Sequence, residues 1–427
     1  MAEGGAKTVR DATCPFCALC CDDLTIEIAG DGAIAVRENG CPISRRGFAR
    51  MAARTTPAIA GEPAEMDAAI ARAAALIGSA QSPVFAALRT DLAGMRAALR
   101  LAERVGAVVD DLESDGLMRN LRIVQDGGTM TTTLSEVRNR MDVMLIVGPD
   151  PAAKFPRLHE RCIAPSDTPF GERPRRRIYR IGPAGANKAP EIVEMACEDR
   201  QLPAAIAALR ALANGRAIAA ESAGGIATTA LWEIAAALNG AAYGVIAWDA
   251  AALPGPSAEL VVETLIGMLR DLNETVRAAG LPLGGSDNLI GANQVCTWQS
   301  GTPLRTSFAG GAPAHDPLLH SARRMLAAGE ADMAIWISAF ADTPPPETDA
   351  AVIALAPADT RFASPPAVFI PVGTPGIDHA GQIVRTDGIV ALPLATLRPA
   401  GRTGGAPSAA DILGRIEREL APERARA

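Results

Sequence analysis

The chain alternates between short apolar runs and longer segments whose apolar positions recur every three to four residues, a pattern that predicts strands and helices in turn. From Asp67, DAAIARAAALIGSA spaces its apolar residues along one face of a helix, and PVFAAL reads as the buried strand after it. DLAGMRAALRLAERVG is a second helix, with Gly106 placed as its C-cap. AVVDD, the charged helix LSEVRNRM and the strand DVMLIVG (142–148) continue the order. The same grammar returns with helix TALWEIAAALNG, strand AYGVIAWD, a helix over Ser257–Ala279 and an irregular stretch over Leu281–Pro317. Helix LLHSARRMLAAGE, strands ADMAIWIS, AVIALA and AVFIPVG, and helix AADILGRIEREL complete it. Strand and helix in alternation predict an α/β fold of parallel sheets with helices on both faces, Rossmann-like in type.

The first fifty residues differ. LTIEI and AIAVRE read as short strands joined at Gly30-Asp31-Gly32, a small β-rich module. The expected organisation is a cysteine-rich domain over 1–55, an α/β domain over 56–245 and a second over 246–427, with interleaving of the last two left open. Between the α/β units, the arginine- and proline-dense segment 166–190 reads as a solvated connection.

Composition narrows the function. Hydrophobic residues make up 48% and charged ones 21%, enough for a substantial core. A net charge of −7 argues against nucleic acid, whose phosphates want a basic partner. No apolar run reaches the ~18 residues that crossing a bilayer needs, so no membrane partner is expected. MAEGGAKTVR lacks the apolar stretch of a secretory signal, which points to the cytoplasm.

The candidate chemistry lies in the N-terminal module. Cys14, Cys17 and Cys21 are spaced C-x2-C-x3-C, and Cys41 follows after nineteen residues. A [4Fe–4S] cubane takes one thiolate per iron from converging directions, which one turn plus a later cysteine can supply. Cys20, beside Cys21, is an alternative ligand. A zinc site is the competing reading, but zinc sites favour cysteine pairs or added histidines, and no histidine precedes His159. Cys162, Cys197 and Cys296 are isolated and read as small buried hydrophobes. His159, His315, His320 and His379 are too dispersed for a zinc hydrolase. Three loops could hold a ligand: VGPDPAAKFPR with Gly148, GSDNLIGANQVCTWQSGTP with Asn288, Asn293 and Gln294, and PVGTPGIDHAGQIVRTDGIVALP with Arg385. Arg385 and Asp387 can pair with each other there.

CPFCALCCDDL, NGCPISRRGF, LSEVRNRMDVMLIVGPDP, GANQVCTWQSGTP and GIDHAGQIVRTDGIVALPL, in that order, resemble the B subunit of formylmethanofuran dehydrogenase, within the molybdopterin oxidoreductase superfamily. The resemblance implies a [4Fe–4S] cluster on the four cysteines, and loops that in active members cradle a pterin-bound molybdenum or tungsten. It also implies that the C-terminal barrel domain is absent from this chain. One stretch departs. Active members ligate the metal through a Cys-His-Gly-Pro-type turn, whereas Leu112–Gly128 here holds neither cysteine nor histidine. Glu113 or Asp115 could offer a hard oxygen ligand in its place, although such a metal wants soft sulfur. This departure is most like the B subunit of the bacterial formyltransferase/hydrolase complex. It implies a non-redox scaffold working with the other subunits, in one-carbon metabolism linked to tetrahydromethanopterin and methanofuran. The alternative is an active dehydrogenase subunit passing electrons through the cluster.

Overall fold

The computed structural model describes residues 6–50, 56–165, 167–169, 171–172, 176–185, 189, 191–253, 255–398 and 406–420. Of the arginine-rich segment 166–190, residues 166, 170, 173–175, 186–188 and 190 lie outside the described residues. Expected as a solvated connection between units, the segment instead contains strand Arg177–Gly182 of the second unit's sheet. The chain divides into two compact units, one discontinuous (1–114 with 285–427) and one continuous (115–284). Both are mixed α/β with parallel strands.

In the first unit the sheet order is Ala314–His315, Thr306–Ser307, Val108–Val109, Pro83–Arg89, Met333–Ser338, Ala351–Ala356, Val368–Pro371, Ala58–Ile59 and Glu62–Pro63. The five central strands run parallel, and the outer ones join them antiparallel. Pro83–Arg89 is buried throughout, as its unbroken apolar run predicts for a central strand. Helix Leu92–Val105 starts where the Asp91 carboxylate accepts from Gly94 N at 3.0 Å and stops at Gly106, whose φ of +69° favours glycine. Helix Ala409–Glu419, opened by a Ser408–Asp411 capping box, packs on Leu92–Val105 and Met66–Ser79. The N-terminal module forms the antiparallel sheet Lys7–Ala12, Leu24–Ile28, Ile34–Glu38, with its second turn held by Asp31 accepting from Ala33 N.

The second unit has one all-parallel sheet, ordered Ile192–Ala196, Arg177–Gly182, Val143–Val147, Gly244–Asp249, Ala278–Leu283. Its core joins strand residues such as Val143, Leu145 and Ile246 to Ile206, Leu209, Ile234 and Leu265 from the flanking helices.

Three predicted elements change. The helix expected over Ser257–Ala279 is Ala258–Leu272, and strand Ala278–Leu283 follows it. Asn273 makes the break: its side chain donates to Leu269 O in the last helical turn at 2.7 Å and to Ala278 O at the start of the strand at 2.6 Å. The stretch expected to be irregular over Leu281–Pro317 contains helix Leu289–Ser300. The helix expected over LLHSARRMLAAGE is shortened to Ala322–Ala327, and Leu112–Gly128 carries helix Asp115–Gly127.

Candidate functional site

The N-terminal cysteines converge on a common neighbourhood but not on a metal site. Cys14 N donates to Cys21 O at 2.7 Å and Cys20 N to Cys17 O at 3.1 Å, which folds the loop. Burial pushes the Cys14, Cys17 and Cys20 thiols up, Cys17 to about 12, and neighbouring thiols raise them further. Cys41 accepts from Ser44 N at 3.4 Å and caps helix Pro42–Phe48. Cys20, at φ +49°, points its thiol at Val384 O (3.8 Å) and Cys17 O (3.7 Å). It packs in an apolar cluster with Phe340, Ile383 and Leu394.

The expectation of a [4Fe–4S] cluster on Cys14, Cys17, Cys21 and Cys41 is corrected. The four are buried thiols, and among the described residues no group of three or more His, Cys, Asp or Glu could hold a metal ion. The loop is used otherwise. Thr386 N donates to Ala18 O at 2.7 Å, so together with Cys20 it fastens the hairpin Gly381–Val384/Ala391–Leu394. A chelator is accordingly expected to leave the melting temperature unchanged. Cys20→Ala is expected to lower stability by roughly 1 kcal/mol, the loss of about one buried methylene-sized group; chemical denaturation measures it.

The cluster of buried charge lies elsewhere, at the carboxyl ends of the first unit's parallel strands, where open α/β sheets place ligands. Arg89 ends Pro83–Arg89, while Asp110 and Asp111 follow Val108–Val109. Arg89 Nε is 3.7 Å from Asp111 Oδ2, and its Nη1 is 4.0 Å from Asp287 Oδ2. The Arg89 guanidinium also lies 5.5 Å from the Trp336 ring centre, a cation–π contact. Asp111 further accepts from Leu88 N (3.0 Å) and Glu113 N (2.9 Å).

Arg305 forms the second half. Its Nε is 3.5 Å from Asp110 Oδ2, its Nε and Nη2 donate to Ser114 Oγ at 3.1 and 3.0 Å, and its Nη1 donates to Pro317 O at 2.6 Å. Asp110 accepts from Ala322 N at 2.8 Å, and its other oxygen is buried without a hydrogen-bond partner. Burial pushes the Asp110 carboxyl up to about 7, against the pull of Arg305. Burial also raises Asp287, with Arg89 opposing. Asp287 and Asn288 both sit in left-handed backbone (φ +52° and +67°), each costing on the order of 1 kcal/mol. The result is a self-paired network in which the carboxylates face guanidinium groups of the same chain.

The candidate ligand-holding residues are engaged within their own units. Asn288 donates to Thr90 O (2.8 Å) and accepts from Val384 N (2.9 Å), which uses both ends of its amide. Asn293 accepts from Leu304 N at 3.1 Å, and Gln294 donates to Gly388 O at 2.5 Å. Arg385 pairs with Asp387 at 2.6 Å. Gly148, in the second unit, has φ +100°, and its carbonyl lies 2.1 Å from where a Cβ on Gly182 would stand, so two strands meet there without side chains. Glu113 is exposed and 3.9 Å from Arg323, while Asp115 opens helix Asp115–Gly127. Neither offers a buried oxygen fit to replace a metal thiolate. Arg89, Asp110, Asp111, Asp287 and Arg305 were not singled out by sequence. The adjacent acids ending AVVDD and the arginine ending PVFAALR were the only signals of them.

No protein-family model matches the chain. It is 32% identical over 366 residues to the B subunit of the formyltransferase/hydrolase complex Fhc of Methylorubrum extorquens, covering 85% of this chain and 97% of that protein. The chain belongs to the formylmethanofuran dehydrogenase B-subunit family. The B subunit of a tungsten-containing formylmethanofuran dehydrogenase 2 of Methanocaldococcus jannaschii is 26% identical over 402 residues, 90% of this chain and 92% of that one. Among solved structures, the formyltransferase/hydrolase complex FhcABCD of Methylorubrum extorquens with methylofuran matches at a TM-score of 0.74 and 31% identity, over 85% of this chain and 98% of its counterpart. Acetylene hydratase from Pelobacter acetylenicus shares the fold at a TM-score of 0.62 and 11% identity, over 96% of this chain and 69% of that one. Leu112–Gly128, which holds neither cysteine nor histidine, carries helix Asp115–Gly127.

Proposed function

We propose that the chain is the non-redox, scaffolding B subunit of a formyltransferase/hydrolase-type complex in one-carbon metabolism linked to methanofuran and tetrahydromethanopterin. The observation that carries this reading is the segment Leu112–Gly128, which has no cysteine or histidine and winds into Asp115–Gly127. A pterin-bound molybdenum or tungsten draws its reactivity from a soft ligand at such a turn. At the adjoining strand ends the Arg89 guanidinium faces both Asp111 and Asp287. Formyl transfer and hydrolysis then belong to other subunits, and this chain supplies the fold on which they assemble.

The test is co-production of this chain with A-, C- and D-type subunits, followed by metal analysis and activity assays of the purified complex. The expected result is formyl transfer and formate release by the complex, none by this chain alone, and no stoichiometric molybdenum or tungsten. Either metal at one per chain, with viologen-coupled formylmethanofuran oxidation, would establish an active dehydrogenase subunit instead.

A further inference from the structure

We infer that the two points where the chain crosses between its units form a hinge, and that Arg89 is its lock. The chain leaves the first unit after Ser114 and returns to it at Gly285. The outgoing crossing is stiff. Arg305 donates to Ser114 Oγ through Nε and Nη2, at 3.1 and 3.0 Å, and helix Asp115–Gly127 begins at the next residue. The returning crossing is made of two glycines, Gly284 at φ +150° and Gly285 at φ +80°, values that residues with side chains rarely adopt. Protein hinges are a few residues of this kind, which absorb changes in φ and ψ while the elements on either side stay intact.

Both sides of the glycine pair are anchored. Before it, strand Ala278–Leu283 is paired along its whole length with Gly244–Asp249 in the second unit. After it, Asn288 donates to Thr90 O at 2.8 Å and accepts from Val384 N at 2.9 Å in the first. Bending is thereby confined to the short stretch between these anchors.

Arg89 reaches both crossings from within the first unit. Asp111 lies just before the outgoing crossing and Asp287 just after the returning one, at 3.7 and 4.0 Å from its guanidinium. Arg89 cannot follow either segment. It ends the central strand Pro83–Arg89, and its guanidinium sits 5.5 Å from the ring centre of Trp336 on the neighbouring strand. The three side chains are largely buried, so salt screens their attraction little. Asp287 also holds a left-handed φ of +52°, which a residue other than glycine keeps only where its surroundings fix it. A guanidinium that merely closed one strand end would need one carboxylate. This one joins two segments far apart in sequence, and each of them flanks a crossing.

The inference stands apart from the scaffold reading, and the full chain alone tests it. Spin labels on Arg72→Cys, in helix Met66–Ser79 of the first unit, and on Glu233→Cys, in helix Thr228–Asn239 of the second, report a separation by pulsed electron resonance. Both positions are exposed, and the native cysteines are buried away from the label. The parent is expected to give one narrow distribution. Arg89→Met keeps the length of the side chain without its charge, and is expected to raise the population at a second separation roughly tenfold. Asp111→Asn/Asp287→Asn removes the same attraction and strands no carboxylate. It is expected to do likewise, and it decides if Arg89→Met does not fold. Gly284→Ala, with Arg89 intact, is expected to move the main separation, because alanine does not rest at φ +150°. A lock variant that melts lower yet leaves the labels where they were overturns the lock, since a purely stabilising pair does only that. A broad distribution in the parent overturns it too. An unmoved separation in folded Gly284→Ala overturns the hinge.

Discussion

Arg305→Met is expected to destabilise the first unit by about 3–5 kcal/mol, the cost of stranding the other member of a buried charge pair. Methionine keeps most of the arginine's length, so the cavity is small and the loss reports the missing guanidinium. Without it Asp110 faces no cation, Ser114 Oγ loses two donors, and Pro317 O loses its bond to the turn. Urea unfolding followed by circular dichroism measures the change. The loss should shrink in acid, because a protonated Asp110 needs no counter-charge. A loss below about 1 kcal/mol at pH 8 would mean that the pair contributes no more than a surface bridge.

Asp110 itself gives the second large effect, one of pH. Its carboxyl stands at about 7 in the fold against an ordinary value of 3.8. Between those values the folded chain holds a proton that the unfolded chain has released. The associated stability is complete below about pH 4 and is lost as the pH rises to about 7. Three units correspond to on the order of 4 kcal/mol. Asp110→Asn, neutral at every pH, abolishes this slope. Parent-minus-variant stability should therefore fall by on the order of 4 kcal/mol between pH 4 and pH 8. Parallel stability curves for the two proteins would show Asp110 to be already ionised at acid pH and would sink the prediction.

Both predictions concern residues that sequence patterns passed over, and the reason is physical. An arginine closing an apolar run, or two aspartates after AVV, looks like a polar strand end entering solvent. Arg89, Asp110 and Arg305 are buried because Pro83–Arg89 lies between Val108–Val109 and Met333–Ser338, and because Thr306–Ser307 returns to pair beside Val108–Val109. The cysteines show the opposite failure. Their spacing is legible and suits a cluster, but spacing does not say where thiols end up. Cys20 is spent on packing against Ile383 and Leu394, and Cys41 on capping a helix. Helix Leu289–Ser300 was hidden by its glycines and asparagines. Gly291 is needed there because a Cβ would lie 2.2 Å from Asn288 Oδ1, a contact with a residue held by Thr90 and Val384.

The order of residues alone established the alternating α/β plan, the parallel central strands, the family, and the absence of cysteine and histidine from Leu112–Gly128. These depend on local periodicity and residue identity, which neighbouring positions encode. Folding in three dimensions decided that one unit is assembled from both ends of the chain, which charges are buried together, and how the thiols are used. Those outcomes depend on strand order and on contacts between segments far apart in the chain, such as Asp110 with Arg305 and Cys20 with Val384. There burial, rather than local pattern, sets what each side chain meets.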